Sequence, residues 1–140
     1  MLQAVGTVAV DREQAARQWL ANFSEVVQRR DYDAGRELFA DHVAAFGTIA
    51  RIVRGLDRLQ KQQWSKVWGN TRGYRFDLDE LVVDGTSDLI WLAVPWRGEG
   101  LNADGSTFPR TGRVTFILQN IQVQWLCVHS HHSRDPDGKL

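Results

Sequence analysis

Apolar residues recur at a helical period up to about residue 70 and at a period of two beyond it, and this change restricts the fold more than any other feature of the chain. Ala15, Ala16, Trp19, Leu20, Phe23, Val26 and Val27 follow the three-and-four spacing of one helix face. Asp11, with Gln14 three residues later, predicts the capping box that starts this helix, which runs to about Arg30. A break at Asp31 leads to a second helical piece, Tyr32 to Phe39. Asp41-His42 then opens a short extended run, Val43 to Phe46, closed by Gly47. A third helix follows Gly55, places Leu56, Leu59, Trp64, Val67 and Trp68 on one side, and ends at Gly69-Asn70.

From Tyr74 onward the pattern is that of strands. Tyr74 to Val83 alternates Phe76, Leu78 and Val82 against Arg75, Asp77 and Asp79, and Asp84-Gly85 predicts a hairpin. Leu89 to Trp96 is apolar on both faces, as a covered central strand would be, with Pro95 predicting an edge or a bulge. Gly98 to Pro109 reads as a polar loop. Thr111 to Gln119 and Gln122 to Ser133 are the last two strands, joined tightly near Asn120. Three helices followed by an antiparallel meander make an α+β plan, in which a curved sheet wraps around the helices and encloses a cone. The 140 residues bound a single domain, 1–140, able to bury about two-thirds of its unfolded surface. Residues 1–10 and 134–140 are expected as flexible tails.

Seventeen basic residues balance seventeen acidic ones, so no nucleic-acid partner is expected. The first ten residues are mildly apolar, lack a basic start and are too short to span a bilayer, so no membrane partner is expected either. The single cysteine makes no internal disulfide, and the expected location is cytoplasmic.

The candidate chemistry gathers in Trp125 to Ser133, which holds three of the four histidines. Strict alternation puts Trp125, Cys127, His129, His131 and Ser133 on one face, expected as a pocket wall, with Leu126, Val128, Ser130 and His132 on the other. His129 and His131 would stand roughly 7 Å apart, and imidazole is the side chain that titrates near neutral pH unperturbed. His132 is expected at the surface or at an interface. Asp41 is the candidate to orient an imidazole; the plainer reading is a turn aspartate bonded to backbone N–H groups. Arg113 shares a face with Thr111, Thr115 and Ile117. If that face is concave, its guanidinium needs an anionic partner; if convex, it is a solvated or interface residue. Trp64 and Trp68, four apart on the third helix, are expected to line the pocket, with Trp91, or Trp96 in its place, and Phe46 completing the lining. Trp91 and Trp96 cannot both face one side of an unbroken strand. Cys127 reads as buried and inert. His129, His131 and Asp41 could in principle hold a metal, but one His-x-His is weak evidence, and the reading is no metal and no cofactor.

These pieces in this order resemble the nuclear transport factor 2-like superfamily, and within it the SnoaL-like proteins. The resemblance rests on Leu38-Phe39-Ala40-Asp41-His42-Val43, on Arg54-Gly55 before Trp64 and Trp68, on Asp104-Gly105, on Thr111-Gly112-Arg113-Val114-Thr115, and on Trp125-x-x-Val128-His129-x-His131-x-Ser133. It covers about Asp11 to Ser133 and implies the cone fold. It also implies a small-molecule pocket, ketosteroid isomerase-like chemistry without a cofactor, and Asp41 near the mouth or floor of the cavity. The isomerases and cyclases resembled abstract a proton with a carboxylate in the sheet pocket, which the last two strands here do not offer. The expected function is therefore a small-molecule-binding protein, an isomerase, cyclase or dehydratase acting on a small hydrophobic carbonyl or hydroxyl compound with His129 or His131 as acid/base. The alternative is a non-catalytic ligand-binding or dimerisation module. A homodimer is expected either way, through the face carrying Val114, Phe116, Leu118, Leu126 and Val128.

Overall fold

The computed structural model describes residues 11–139. Helix α1 (Arg12–Arg29) starts where the sequence predicts, the Asp11 carboxylate accepting from the Gln14 N–H at 3.0 Å. It stops at Arg30, which adopts the left-handed conformation and returns its N–H to the carbonyls of Val26 and Val27. Its buried stripe is Ala16, Trp19, Leu20, Phe23, Val26 and Val27, the set picked out by spacing. The second helical piece, α2 (Tyr32–Arg36), is shorter than expected, because Phe39 already belongs to β1 (Phe39–Phe46). After β2 (Val53–Arg54), the third helical segment, α3 (56–70), is not uniform. It opens with an α turn at Leu56–Leu59, widens to a π turn at Gln60–Trp64 and closes through a 3-10 turn at Trp68–Asn70. Such π turns are often found where a side chain must be re-aimed into a site.

The strand expected from Tyr74 to Val83 is two strands, β3 (Thr71–Phe76) and β4 (Val82–Gly85), separated by a 3-10 turn at Leu78–Glu80. The loop expected from Gly98 is mostly strand: β5 (Leu89–Leu101) and β6 (Thr107–Ile121) pair without interruption from Leu89↔Gln119 to Leu101↔Thr107. Pro95 causes neither an edge nor a bulge in this ladder. Its carbonyl accepts from the Asp77 N–H at 3.0 Å, so its nitrogen faces the gap between β3 and β4, where no strand asks for a donor. Arg134 ends β7 (Gln124–Arg134) and pairs with Gly112, so the tail starts one residue later than expected. The expectation for residues 1–10 lies outside the described residues.

The sheet order is β2-β1-β7-β6-β5-β3, with β4 also on β5. It is antiparallel except for β1 and β7, which run parallel (Ala44↔His129, Phe46↔His131). The helices cover one face. Ile90, Leu92, Val94 and Trp96 of β5 and Val114, Phe116 and Leu118 of β6 are buried against them. Phe116, wholly buried, meets Trp19 at 4.7 Å and Phe23 at 5.6 Å between ring centres. The face with Val114, Phe116 and Leu118, expected outside, is therefore the core. Among the described residues no helix is long and apolar enough to cross a membrane.

Candidate functional site

Which histidine enters the cone is decided by a bulge. Ile117 pairs with His129 but Leu118 pairs with Cys127, leaving Val128 as an extra residue in β7. Alternation is thus reset at Val128: Cys127 points in and is fully buried, His129 and His131 point out, and Ser130 and His132 point in. Of the expected pocket wall, His129, His131 and Ser133 are on the outer face. There, Trp91, Ile117, His129 and Ala44 form one row across four strands, and Ala93, Thr115, His131 and Phe46 the next. His129 Nδ1–H donates to the Ala44 carbonyl at 2.8 Å. The Phe46 ring stands edge-on to both imidazoles, at 5.7 and 4.9 Å. Arg113 is on this face too, its Nε–H donating to Ser133 Oγ at 3.0 Å, which settles the convex alternative. Asp41, on β1, is exposed beside Arg54 and Asp57, is not among the cavity-lining residues, and forms no hydrogen bond to a histidine among the described residues.

Inside, α1, α3, β3 and the sheet leave a cavity of about 40 Å³, counted as space open to the centre of a water-sized sphere. Trp64 and Trp68 line it as expected, stacked at 4.6 Å, and Trp96 lines it where Trp91, 41% exposed, does not. Its polar end was not foreseen. Tyr74 Oη lies 2.8 Å from His132 Nε2. Burial raises the Tyr74 pKa well above that of an ordinary phenol, so the hydroxyl keeps its proton. Among the described residues Nε2 is the only partner found for that proton, and His132 therefore accepts at Nε2 and carries its own hydrogen on Nδ1. Burial first, then electrostatic interaction with His131 and Arg110, push the His132 pKa down to about 3, so the ring is neutral at pH 7.

Arg110 enters the cavity from β6, its guanidinium 5.7 Å above the Trp96 ring. Nη1 and Nη2 donate only long hydrogen bonds, 3.4 Å each, to the hydroxyls of Thr71 and Thr48. Burial lowers its pKa, assisted by the charge of Arg134. Gln63 comes from the π turn and packs on Gly47, where an added Cβ would overlap its amide. Three buried polar side-chain atoms find no partner among the described residues: Gln63 Oε1, Arg110 Nε and His132 Nδ1. All three belong to residues of this one cavity. Unpaired buried polar atoms are rare in folded proteins, and three in one wall mark a place built for an occupant or for waters.

No described lining residue of the cavity carries a carboxylate. Burial raises the pKa of Cys127, whose Sγ–H donates to the His129 carbonyl at 3.2 Å, so the thiol stays protonated and inert. Among the described residues no group of three or more His, Cys, Asp or Glu is placed to hold a metal ion. A signal for His132 was present in β6: Val114, Phe116 and Leu118 are its apolar set and must face the helices, and they pair with His132, Ser130 and Cys127.

The helices and the curved sheet with a small, partly polar interior define an α+β cone fold. The chain belongs to the SnoaL-like domain family, whose profile matches residues 16–136. The fold is that of a nuclear transport factor 2-like superfamily protein from Salmonella enterica serovar Typhimurium LT2, at 17% identity, TM-score 0.79, and coverage of 91% of this chain and 94% of that one. A nuclear transport factor 2-like protein of unknown function from Pseudomonas putida KT2440 is 25% identical, with TM-score 0.72 and coverage of 91% and 89%. A ketosteroid isomerase-like protein from Erwinia carotovora atroseptica SCRI1043 is 18% identical, with TM-score 0.73 and coverage of 88% and 96%. No curated protein matches the sequence.

Proposed function

We propose that this SnoaL-like domain binds a small molecule inside the cone, against Trp64, Trp68 and Trp96, with Gln63, Arg110 and His132 making its polar contacts. The observation that carries this reading is that three residues lining one cavity, Gln63, Arg110 and His132, each hold a buried polar atom without a partner among the described residues. The acid/base role expected of His129 and His131 passes to His132, the imidazole in the cavity wall. Its Nδ1–H is set to donate to a carbonyl or hydroxyl oxygen, the polarising half of an isomerase or lyase reaction. The described lining supplies no carboxylate for the proton-abstracting half, so ligand binding is favoured over turnover. The same reading includes a homodimer through the outer sheet face, in a reducing compartment such as the cytoplasm.

A cavity-filling variant tests the site. Val67 lines the cavity and is only partly buried, so Val67→Phe should fill the space at small cost to stability. Wild-type protein should show saturable binding of single-ring compounds by ligand-detected NMR, and V67F should lose it while keeping a cooperative unfolding transition. Equal binding by the two proteins would move the ligand site elsewhere.

A further inference from the structure

Arg110 is the only arginine or lysine among the described cavity residues, and no acidic side chain of the described residues forms an ion pair with it. The ion pairs formed by arginines of the described chain involve Arg17, Arg29, Arg36 and Arg97. Arg110 has instead two hydroxyls at 3.4 Å and an Nε without a partner. An unpaired guanidinium held half-buried in apolar surroundings is costly, and native structures normally supply it with an anion. The rest of the polar end has the same bias. His132 Nδ1–H is a free donor whose acceptor role at Nε2 is already taken by Tyr74. The Thr71 hydroxyl donates to the Val67 carbonyl at 2.8 Å and accepts from Arg110 only at 3.4 Å, a long contact that a closer acceptor can replace. Gln63, which packs on Gly47 next to Thr48, adds an acceptor suited to an N–H or hydroxyl on the same compound.

The apolar end fixes the body of the ligand. A sphere admitting about 40 Å³ of water centres measures roughly 180 Å³ from wall to wall once a water radius is added, the size of one substituted ring. Stacked indoles on one side and the Trp96 ring below Arg110 favour a flat body.

We propose that the cone selects a monocyclic organic carboxylate, its carboxylate between Arg110 and His132 and its ring against Trp64 and Trp68. This rests on the reading of the cone as the ligand site. It goes further in naming the ligand's charge and the residue that selects it.

Benzoate and its neutral isostere benzamide are the probes, followed by tryptophan fluorescence and by thermal unfolding of the purified chain. Benzoate should quench fluorescence saturably, raise the melting temperature and bind at least tenfold more tightly than benzamide. Arg110→Gln should weaken benzoate binding at least tenfold and abolish its preference over benzamide. Arg110→Lys, which keeps the charge but loses Nε, should fall between the two and controls for folding. Benzamide binding as tightly as benzoate, or benzoate binding to R110Q as to wild type, would overturn the anion selectivity while leaving the ligand site in place. Binding of neither probe to folded wild-type protein would overturn the site and the selectivity together.

Discussion

At the scale of single residues, the Tyr74–His132 pair ties a chemical state to a fold. A phenol that cannot ionise and has one acceptor in reach determines which imidazole nitrogen carries hydrogen, and so determines that the cavity meets a donor. The sign of the pH dependence follows. His132 has a folded pKa of about 3 against an ordinary 6.5, so between those values the unfolded chain binds more protons than the folded one. The stability contributed by keeping the ring neutral is complete above about pH 6.5 and is lost as pH falls toward 3, at up to about 1.4 kcal/mol per pH unit. Urea unfolding at pH 7.5, 6 and 5 should therefore show wild type losing stability more steeply than His132→Gln. Parallel curves for the two proteins would mean that the ring is not held neutral by burial.

At the scale of elements, two one-residue irregularities place the site. The π turn brings both Gln63 and Trp64 to the cavity, and the Val128 bulge turns His132 inward and His129 and His131 outward. Neither leaves a mark in a pattern of apolar spacing. The α1 stripe was legible because its burial and its caps obey one period throughout. The histidine face was not, because counting by twos along β7 crosses the bulge and inverts every residue after it. Trp91 and Trp96 show the complementary case. Their opposite facing was legible from parity, but which of them faced inward needed the helices to be placed. The β6 strand also carries a close approach that sequence does not display. Gly112 lies under the Trp96 indole and against the Ser133 carbonyl, and any Cβ there would overlap both. Gly112→Ala should destabilise the protein by about 2 kcal/mol or more and shift the tryptophan emission, because Trp96 must leave its seat. A variant with unchanged denaturant midpoint and emission would contradict this packing.

At the scale of the molecule, the outer sheet face is the surface we propose for the homodimer. Trp91 is 41% exposed and shares its row with Ile117, flanked by Phe46 and the two outward histidines. We expect a dimer at micromolar concentration by light scattering. Trp91→Glu combined with Ile117→Glu should yield a folded monomer, whereas a monomeric wild type would remove this face from the proposal. The α+β plan and the cone were legible in the sequence from the change of period and the order of elements. The parallel pairing of β1 with β7 was not, since nothing local in either strand specifies a partner some 85 residues away.

That pairing has a consequence for how the chain is made. The seventh strand is the last in sequence but sits in the middle of the sheet, between β1 and β6. A nascent chain that has emerged only as far as Ile121 therefore presents two unsatisfied strand edges facing an empty slot. The sheet cannot close on the ribosome until residues through Arg134 have cleared the exit tunnel, and a truncation there removes a keystone rather than a fringe.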